Sequence, residues 1–314
     1  MAELQTGLVV AAHGRHCLVE SADGSRRICH PRGKKNAVVV GDRVRWQVSG
    51  DEGSIEQVLE RRNLFYRQDE MRTKSFAANL DQVLVLVAAD PEFSESQLAR
   101  ALIAAQAERI EVLIVLNKSD LQPGFDQAWE RLESYRRMGC EVLPLRLKGQ
   151  TAAENELGLI ELEQHLAGKT TLVLGPSGVG KSTLVNRLVP HAKALTGEIS
   201  RALNSGKHTT TSTTWYWVDE TRCTALIDSP GFQEFGLNHI EPMQLAHFMP
   251  DLRATLGHCR FYNCTHLHEP GCAVRDQVMG VEDAGRASKE KSIGDNRYRI
   301  YGELFAELSA RRSY

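Results

Sequence analysis

The chain has 314 residues, of which 42% are hydrophobic and 25% charged, with a formal net charge of −2. This length and composition predict a soluble globular protein of two or three domains. The longest apolar runs, such as residues 83–89, are far too short to span a bilayer, and no basic segment precedes an apolar stretch at the N-terminus. We therefore expect a cytoplasmic protein with no membrane contact, in which seven cysteines serve as metal ligands or free thiols rather than disulfides.

Five short β-rich stretches, separated by turn residues, occupy the first 62 residues. They are residues 8–12, 17–20, 26–29, 43–48 and 54–59. This pattern predicts a five-stranded barrel of the oligonucleotide-binding (OB) type, and it leaves a generic SH3-like barrel open as the alternative. Five basic residues and no acidic one lie between Arg26 and Lys35, which indicates either a solvated loop or a contact with nucleic-acid phosphates. Residues 63–78 are predicted to be a polar linker, and residues 1–72 to be the barrel domain.

From residue 81 the pattern changes to buried strands that alternate with helices. The predicted strands are residues 81–88, 111–116, 141–145, 170–174, 215–218 and 224–227, and the predicted helices are residues 94–109, 127–138, 157–166 and 181–189. This alternation predicts a doubly wound α/β domain over residues 73–237, with ligands at the carboxyl ends of its strands.

A tetrapeptide at the end of the second of these strands has the sequence of a guanine-reading motif, and it consists of Asn117, Lys118, Ser119 and Asp120. The Asp120 carboxylate can accept hydrogen bonds from both N1–H and the exocyclic amine of guanine, whereas adenine has no donor at N1. We expect Asn117 to hold the loop and the Lys118 stem to stack on the purine. Taken alone, the tetrapeptide is equally consistent with a helix N-cap.

A phosphate-binding P-loop follows about 60 residues later. The pattern G-x-x-x-x-G-K-[ST] is matched between a predicted strand and a predicted helix, so backbone N–H groups and the helix N-terminus are expected to hold a β-phosphate. The residues predicted to contact the nucleotide are Gly175, Pro176, Ser177, Gly178, Val179, Gly180, Lys181, Ser182 and Thr183. Lys181 is expected to neutralise the β- and γ-phosphate oxygens, and the Ser182 hydroxyl to ligate Mg²⁺.

The third motif, Asp228-Ser229-Pro230-Gly231, is expected to sense magnesium and the γ-phosphate. The residue after it is Phe232, where efficient GTPases often have a water-orienting glutamine. We therefore predict slow intrinsic turnover. His208 is the candidate for positioning water, although it is equally consistent with an exposed loop residue, and one of Thr209–Thr211, with Thr210 favoured, is expected to ligate Mg²⁺. The predicted catalytic residues are thus Lys181, His208 and Asp228.

The order of these motifs differs from that of an ordinary GTPase, in which the base-reading motif comes last. Here it precedes the P-loop, so we predict a circularly permuted P-loop GTPase domain.

Three cysteines and a histidine near the C-terminus have the spacing of a metal site, C-x4-C-x-H-x5-C. The predicted ligands are Cys259, Cys264, His266 and Cys272, a closed set suited to one structural Zn²⁺. His258 or His268 could replace His266, and buried free cysteines are the alternative without a metal. A basic terminal helix is expected from about Ser288, which gives a zinc-binding and helical domain over residues 238–314.

With these motifs in this order, the chain resembles, from end to end, the circularly permuted GTPases that depend on the small ribosomal subunit, the RsgA or YjeQ family. The resemblance implies a GTP hydrolase, with Mg²⁺ and one Zn²⁺, that binds the 30S subunit and 16S rRNA. It also implies stimulation by the 30S subunit, a role late in small-subunit maturation, and help in the release of other assembly factors. We expect a monomer, since no self-association pattern is visible.

One stretch departs from that family. Where a Ser-Ala-type turn usually touches the guanine, this chain has the sequence Leu-Arg-Leu-Lys-Gly at residues 145–149. The Arg146 or Lys148 stem could instead stack over the ring.

Two other functions remain open from the sequence. A P-loop alone also permits an ATP-dependent enzyme or a nucleotide kinase. The other alternative is a zinc-dependent RNA-binding protein in which the nucleotide serves only as a structural switch.

Overall fold

A computed structural model describes residues 4–14, 16–32, 37–148, 152–192, 213–229, 232, 235–278 and 292–310. The strands of the described part are β1 (Gln5–His13), β2 (His16–Glu20), β3 (Arg26–Pro31), β4 (Arg43–Ser49), β5 (Glu52–Val58), β6 (Leu64–Gln68), β7 (Thr73–Ala78), β8 (Gln82–Ala88), β9 (Glu111–Asn117), β10 (Glu141–Leu145), β11 (Thr170–Leu174), β12 (Thr214–Trp217) and β13 (Ala225–Asp228). The α-helices there are α1 (Glu95–Ala107), α2 (Gly124–Arg131), α3 (Glu133–Arg137), α4 (Ala152–Leu166), α5 (Lys181–Leu188), α6 (Pro250–Arg253) and α7 (Asp295–Ala310).

The first five strands close into a barrel in the order β1-β2-β3-β5-β4, since β1 also pairs with β4. β3 and β5 are parallel, and the other pairs are antiparallel. This Greek-key closure confirms the predicted OB-type barrel over the SH3-like alternative. Its interior is small and apolar, and Gly53 is required there because a Cβ at this position would lie 2.4 Å from Cys29 Sγ.

The second sheet contains five parallel strands in the order β10-β9-β8-β11-β13, followed by antiparallel β12. Both faces of this sheet are buried, because alternate residues of β8 and β9 belong to two separate apolar clusters. α1 packs in one cluster, whereas α4 and α5 pack in the other. This confirms the predicted doubly wound α/β domain.

The barrel continues the second sheet through the pair Ala11 and Thr214, which joins β1 to β12. A buried carboxylate reinforces the junction: Glu20 on β2 accepts a hydrogen bond from Trp217 Nε1 at 2.8 Å. The same carboxylate forms ion pairs with Arg26 at 2.8 Å and with Arg222 at 3.5 Å. The two predicted domains therefore share one continuous hydrogen-bonded sheet.

Residues 64–78 form a β-hairpin of β6 and β7, so the prediction of a polar linker over residues 63–78 is wrong. The reason is tertiary: Phe65 and Phe76 face the core and are 0% and 1% exposed, respectively. The predicted boundary between residues 72 and 73 lies in the turn region of this hairpin, and the division into domains stays a prediction.

The C-terminal part consists of short 3₁₀ helices at Pro242–Phe248 and Arg275–Gln277, helix α6, a loop-rich cysteine segment and α7. A buried ion pair fixes α7 to α6, since the Arg297 guanidinium bonds both carboxylate oxygens of Asp251 at 2.9 and 3.1 Å. Residues 279–291, which include the predicted helix start at Ser288, lie outside the described residues. None of the described helices is long and apolar enough to span a membrane.

Candidate functional site

The predicted nucleotide motifs meet at one edge of the second sheet. β8, β9, β10, β11 and β13 are parallel, so their carboxyl ends share this edge. Asn117 ends β9, Gly175 follows β11, and Asp228 ends β13. Segments separated by more than 100 residues in the chain are thereby brought together.

The P-loop has the backbone form that its glycines predict. Gly175, Gly178 and Gly180 have φ angles of 157°, 83° and 108°, values that favour glycine. A Cβ at Gly175 would lie 2.3 Å from the carbonyl oxygen of Leu86 on the adjacent strand. The loop is therefore held against β8 and can expose its backbone N–H groups at the start of α5.

Asn117 connects the base-reading tetrapeptide to the P-loop. Its side-chain Nδ2 donates a 2.7 Å hydrogen bond to the carbonyl oxygen of Val179, and the residue is 3% exposed. A Cβ at Gly180 would lie 2.6 Å from this nitrogen, which explains the glycine there. Oδ1 of Asn117 is buried without a hydrogen-bond partner among the described residues. A hydrogen bond within the protein thus joins the two motifs.

The rest of the tetrapeptide projects from the same edge. Lys118 adopts a left-handed backbone with a φ of 67°, and its amine donates to the carbonyl oxygen of Asp90. The N–H of Ser119 donates to the carbonyl oxygen of Leu145 at 3.1 Å. Asp120 is partly exposed, so its carboxylate is accessible to a base.

Lys181 and Asp228 face the phosphate end of the edge. The Lys181 amine donates to the carbonyl oxygens of Gly175 at 2.6 Å and Pro176 at 3.3 Å. Burial lowers the pKa of Lys181 and raises the pKa of Asp228, and the attraction between the two groups partly opposes both shifts. A buried carboxylate and a partly buried amine at a P-loop fit an anionic ligand together with a divalent cation.

Several residues of the predicted site lie outside the described part of the chain. His208 and Thr209–Thr211 lie outside the described residues, as do Pro230 and Gly231. Ser182 is exposed at the start of α5, where its hydroxyl is available for Mg²⁺. Thr213 donates from Oγ1 to the Ser229 hydroxyl at 3.3 Å, which links the segment before β12 to the one after β13.

Phe232 has a structural role that the sequence argument missed. It is 4% exposed, and its ring packs against Phe235 with centroids 6.2 Å apart. Phe235 in turn contacts Phe65 and Phe76 of the hairpin at 5.6 and 5.9 Å. The spacing of two phenylalanines three residues apart could have indicated this anchor. The segment after Asp228 is thereby fixed to the hairpin between barrel and sheet.

The Cys/His cluster assembles as predicted. One ligand atom from each of Cys259, Cys264, His266 and Cys272 lies within 4.8 Å of the others. Nδ1 of His266 is 3.5 Å from Cys259 Sγ and 3.6 Å from Cys272 Sγ. A tetrahedral Zn²⁺ with ordinary bond lengths would place sulfur and nitrogen roughly 3.5 Å apart, so the ligands fit this ion. His258 and His268 are not part of this cluster of described residues.

Supporting hydrogen bonds fix the cluster on α7. The Tyr298 hydroxyl donates to the carbonyl oxygen of His266 at 2.7 Å, and the Tyr301 hydroxyl donates to that of Thr265 at 2.8 Å. Burial raises the pKa of the Cys264 thiol to about 12, and the neighbouring cysteines contribute. Burial also raises the pKa of the Cys272 thiol. A bound cation would favour the thiolate forms of Cys264 and Cys272. The four side chains of the cluster can therefore hold a metal ion.

Comparisons with known proteins agree with this geometry. The family model described as RsgA GTPase matches residues 58–238. The chain belongs to the RsgA GTPase family, and it is accordingly a GTP hydrolase. A curated relative from Variovorax paradoxus, named small ribosomal subunit biogenesis GTPase RsgA, is 68% identical and spans 98% of this chain and 94% of its own. A relative of the same name from Bordetella pertussis is 51% identical and spans 98% of each chain.

Two solved structures share the fold of this RsgA-family chain. YjeQ from Thermotoga maritima superimposes with a TM-score of 0.71 at 29% identity, over 99% of this chain and 100% of that one. YloQ, which is described as a circularly permuted GTPase, gives a TM-score of 0.69 at 26% identity, over 99% and 97%. The likeness covers the barrel, the permuted GTPase sheet and the C-terminal cluster, and it confirms the predicted permutation.

Proposed function

We propose that this GTPase acts in biogenesis of the small ribosomal subunit and that guanine nucleotide occupies the carboxyl edge described above. Guanine is held by Asn117–Asp120, and the phosphates by residues 175–183. The main support is the hydrogen bond from Asn117 to Val179, which places a base-reading loop beside a P-loop. In an ATP-dependent enzyme, a carboxylate at N1 of the base would face an acceptor, because adenine has no donor there.

The catalytic roles follow from charge and position. Lys181 neutralises the β- and γ-phosphates, and its partly buried amine is attracted by the carboxylate of Asp228. The residues we assign to Mg²⁺ are Ser182 and Asp228, with one of Thr209–Thr211. When bound, Mg²⁺ neutralises charge that develops on the phosphate oxygens during hydrolysis. The protein places Ser182 at the start of α5 and Asp228 at the end of β13.

Water positioning is the step for which, in this proposal, a partner must organise the site. Phe232 cannot hydrogen-bond a water, and its ring is buried in the aromatic contact with Phe235. We assign the water to His208 once the small subunit is bound. Slow turnover of the isolated protein and its stimulation by the 30S subunit follow from this assignment.

The partner is suggested by the curated relatives, whose name assigns them to small-subunit biogenesis. An OB-type barrel and a Cys₃His cluster are both common nucleic-acid-binding modules, so we assign 16S rRNA contacts to them. Zn²⁺ is the metal we assign to the cluster. In this proposal the protein is a cytoplasmic monomer with domains 1–72, 73–237 and 238–314, and it assists the release of other assembly factors late in maturation.

GTP turnover with and without purified 30S subunits tests the proposal. We expect turnover to rise by more than tenfold with 30S subunits and to be unchanged by an equal amount of 50S subunits. His208→Ala should remove most of the stimulation without changing GDP affinity. Binding of 30S subunits without any increase in turnover would instead favour a zinc-dependent RNA-binding protein with a structural nucleotide.

A further inference from the structure

The loop after β10 begins beside the base-reading tetrapeptide. Leu145 pairs with Asn117 in the β9–β10 ladder, and the Ser119 N–H donates to the Leu145 carbonyl oxygen. The next residue, Arg146, therefore emerges beside the base-reading tetrapeptide. The β9–β10 register places Arg146 next to the end of β9.

Arg146 faces the carboxylate that is assigned to the guanine edge. Its Nε lies 4.0 Å from Asp120 Oδ1, and the two side chains are 25% and 34% exposed, respectively. Lys148, the other cation of this loop, is exposed. The sequence offered both residues as candidates for stacking over the base. In the structure, Arg146 lies near the Asp120 carboxylate, whereas Lys148 is exposed to solvent.

The neighbours of Arg146 restrict where its side chain can go. Leu145 is buried, and Leu147 packs against the apolar cluster under the P-loop. A Cβ at Gly180 would lie 3.3 Å from the Leu147 side chain. The loop therefore lies along the P-loop, with Arg146 between two anchored leucines.

A carboxylate that reads guanine must present two oxygens to two adjacent donors, N1–H and the exocyclic amine. A carboxylate offers about four lone-pair sites, so a nearby cation can attract it while leaving acceptors for the base. A separation of 4.0 Å gives electrostatic attraction without a short hydrogen bond. Such a contact restricts the carboxylate's orientation without occupying it.

We propose that Arg146 is a positioning residue that sets guanine specificity: it orients the Asp120 carboxylate so that both oxygens meet the base. The inference rests on the proposed assignment of Asn117–Asp120 to the base.

The readout is the ratio of GDP affinity to inosine diphosphate affinity, measured by calorimetry on the isolated full-length protein. Inosine diphosphate lacks only the exocyclic amine, so this ratio reports the second hydrogen bond to Asp120. Arg146→Gln retains most of the side-chain volume and removes the charge. We expect it to lower the ratio by about fivefold, since a misoriented carboxylate would lose only part of its hydrogen bond to the exocyclic amine.

Two further variants make the test specific. Lys148→Ala removes a neighbouring charge from the same loop and should leave the ratio within twofold. In an Asp120→Ala background, Arg146→Gln should not change the ratio further, because no carboxylate remains to be oriented. A general disturbance of the loop would instead lower both affinities equally and leave the ratio unchanged.

Several outcomes would overturn the inference. One is an unchanged ratio in Arg146→Gln, another is an equal loss in Lys148→Ala, and a third is an additional loss in the Asp120→Ala background. Failure of the underlying assignment looks different, because the wild-type protein would then bind ADP as tightly as GDP. A lack of 30S stimulation would leave this inference intact, since no ribosome takes part in the measurement.

Discussion

The carboxyl edge of the second sheet, here called the nucleotide edge, and the Cys/His cluster bring their functional side chains together in different ways. The edge gathers Asn117, Lys181 and Asp228 by strand order, and its connecting hydrogen bond forms within the protein itself. The cluster gathers four ligands from 14 residues of loop, with short 3₁₀ helices and α7 around it. A sheet preforms the first site, whereas the second, in our proposal, is completed by a metal ion. The two regions should therefore respond differently to the loss of one side chain.

The largest expected effect is at the cluster. Cys264→Ser should reduce bound zinc from about one equivalent to nearly none and unfold the C-terminal part, because metal binding there contributes folding free energy. Zinc analysis and circular dichroism check this. Cys223→Ser, at an exposed cysteine outside the cluster, is the control and should change neither. Retention of full zinc by Cys264→Ser would show that another residue completes the site.

The nucleotide edge should lose activity without losing structure. Lys181→Ala should lower GTP turnover by at least about a hundredfold, because it removes the charge on the transferred phosphate, with little change in melting temperature. Lys169→Ala is the matched control at the amino end of β11, where Lys169 pairs with Glu111 at 2.9 Å. A large fall in melting temperature in Lys181→Ala alone would contradict the idea of a preformed edge.

The segment between the two regions gives a smaller effect. Gly236 lies so close to the hairpin that a Cβ would be 2.5 Å from the Gln68 carbonyl oxygen. Gly236→Ala should lower the free energy of unfolding by about 2 kcal/mol, measured by denaturant titration, since backbone must shift. Gly124→Ala, whose Cβ would have only Ala89 within 4 Å, at 3.9 Å, is expected to be neutral. Equal stabilities would mean that the hairpin contact is loose.

The smallest effect concerns acid sensitivity next to that segment. Burial lowers the pKa of His239 to about 4, and its ring lies 4.4 Å from that of Tyr66. Since the folded-state pKa is depressed, the unfolded chain takes up the proton first. Stability should therefore be full above pH 6.5 and fall as the pH drops towards 4. His239→Gln should flatten this fall by about 1 kcal/mol after allowance for partial exposure, as judged by unfolding at several pH values. An identical pH profile for both proteins would contradict this.

Most of the fold and the motif chemistry could be predicted from sequence because they depend on local patterns. The buried runs of β8 and β9 predict parallel strands. A metal-binding cluster is predicted by the spacing of Cys259, Cys264, His266 and Cys272. The hairpin of residues 64–78 could not, since Phe65 and Phe76 lie in short apolar runs at the two ends of a polar stretch. Their burial depends on Phe235, more than 150 residues later in the chain. Pairing of this kind leaves no periodic pattern.

In the candidate site, too, local motifs could be predicted from the sequence, whereas long-range contacts could not. Gly175 and Lys181 follow from their motif, whereas the contact of Arg146 with Asp120 requires the β9–β10 register. The role of Phe232 also needed the structure, because the sequence indicated only that it cannot orient water. Long-range register and aromatic packing thus account for what the motifs leave out.

The pairing of β1 with β12 has a consequence for shortening the chain. An unpaired outer strand offers free N–H and C=O groups to other molecules, which favours aggregation. In this protein the barrel covers that border of β12, and Glu20 holds the strand through Trp217. A chain that begins at the GTPase sheet would expose the border of β12, so the barrel also protects the neighbouring sheet from aggregation.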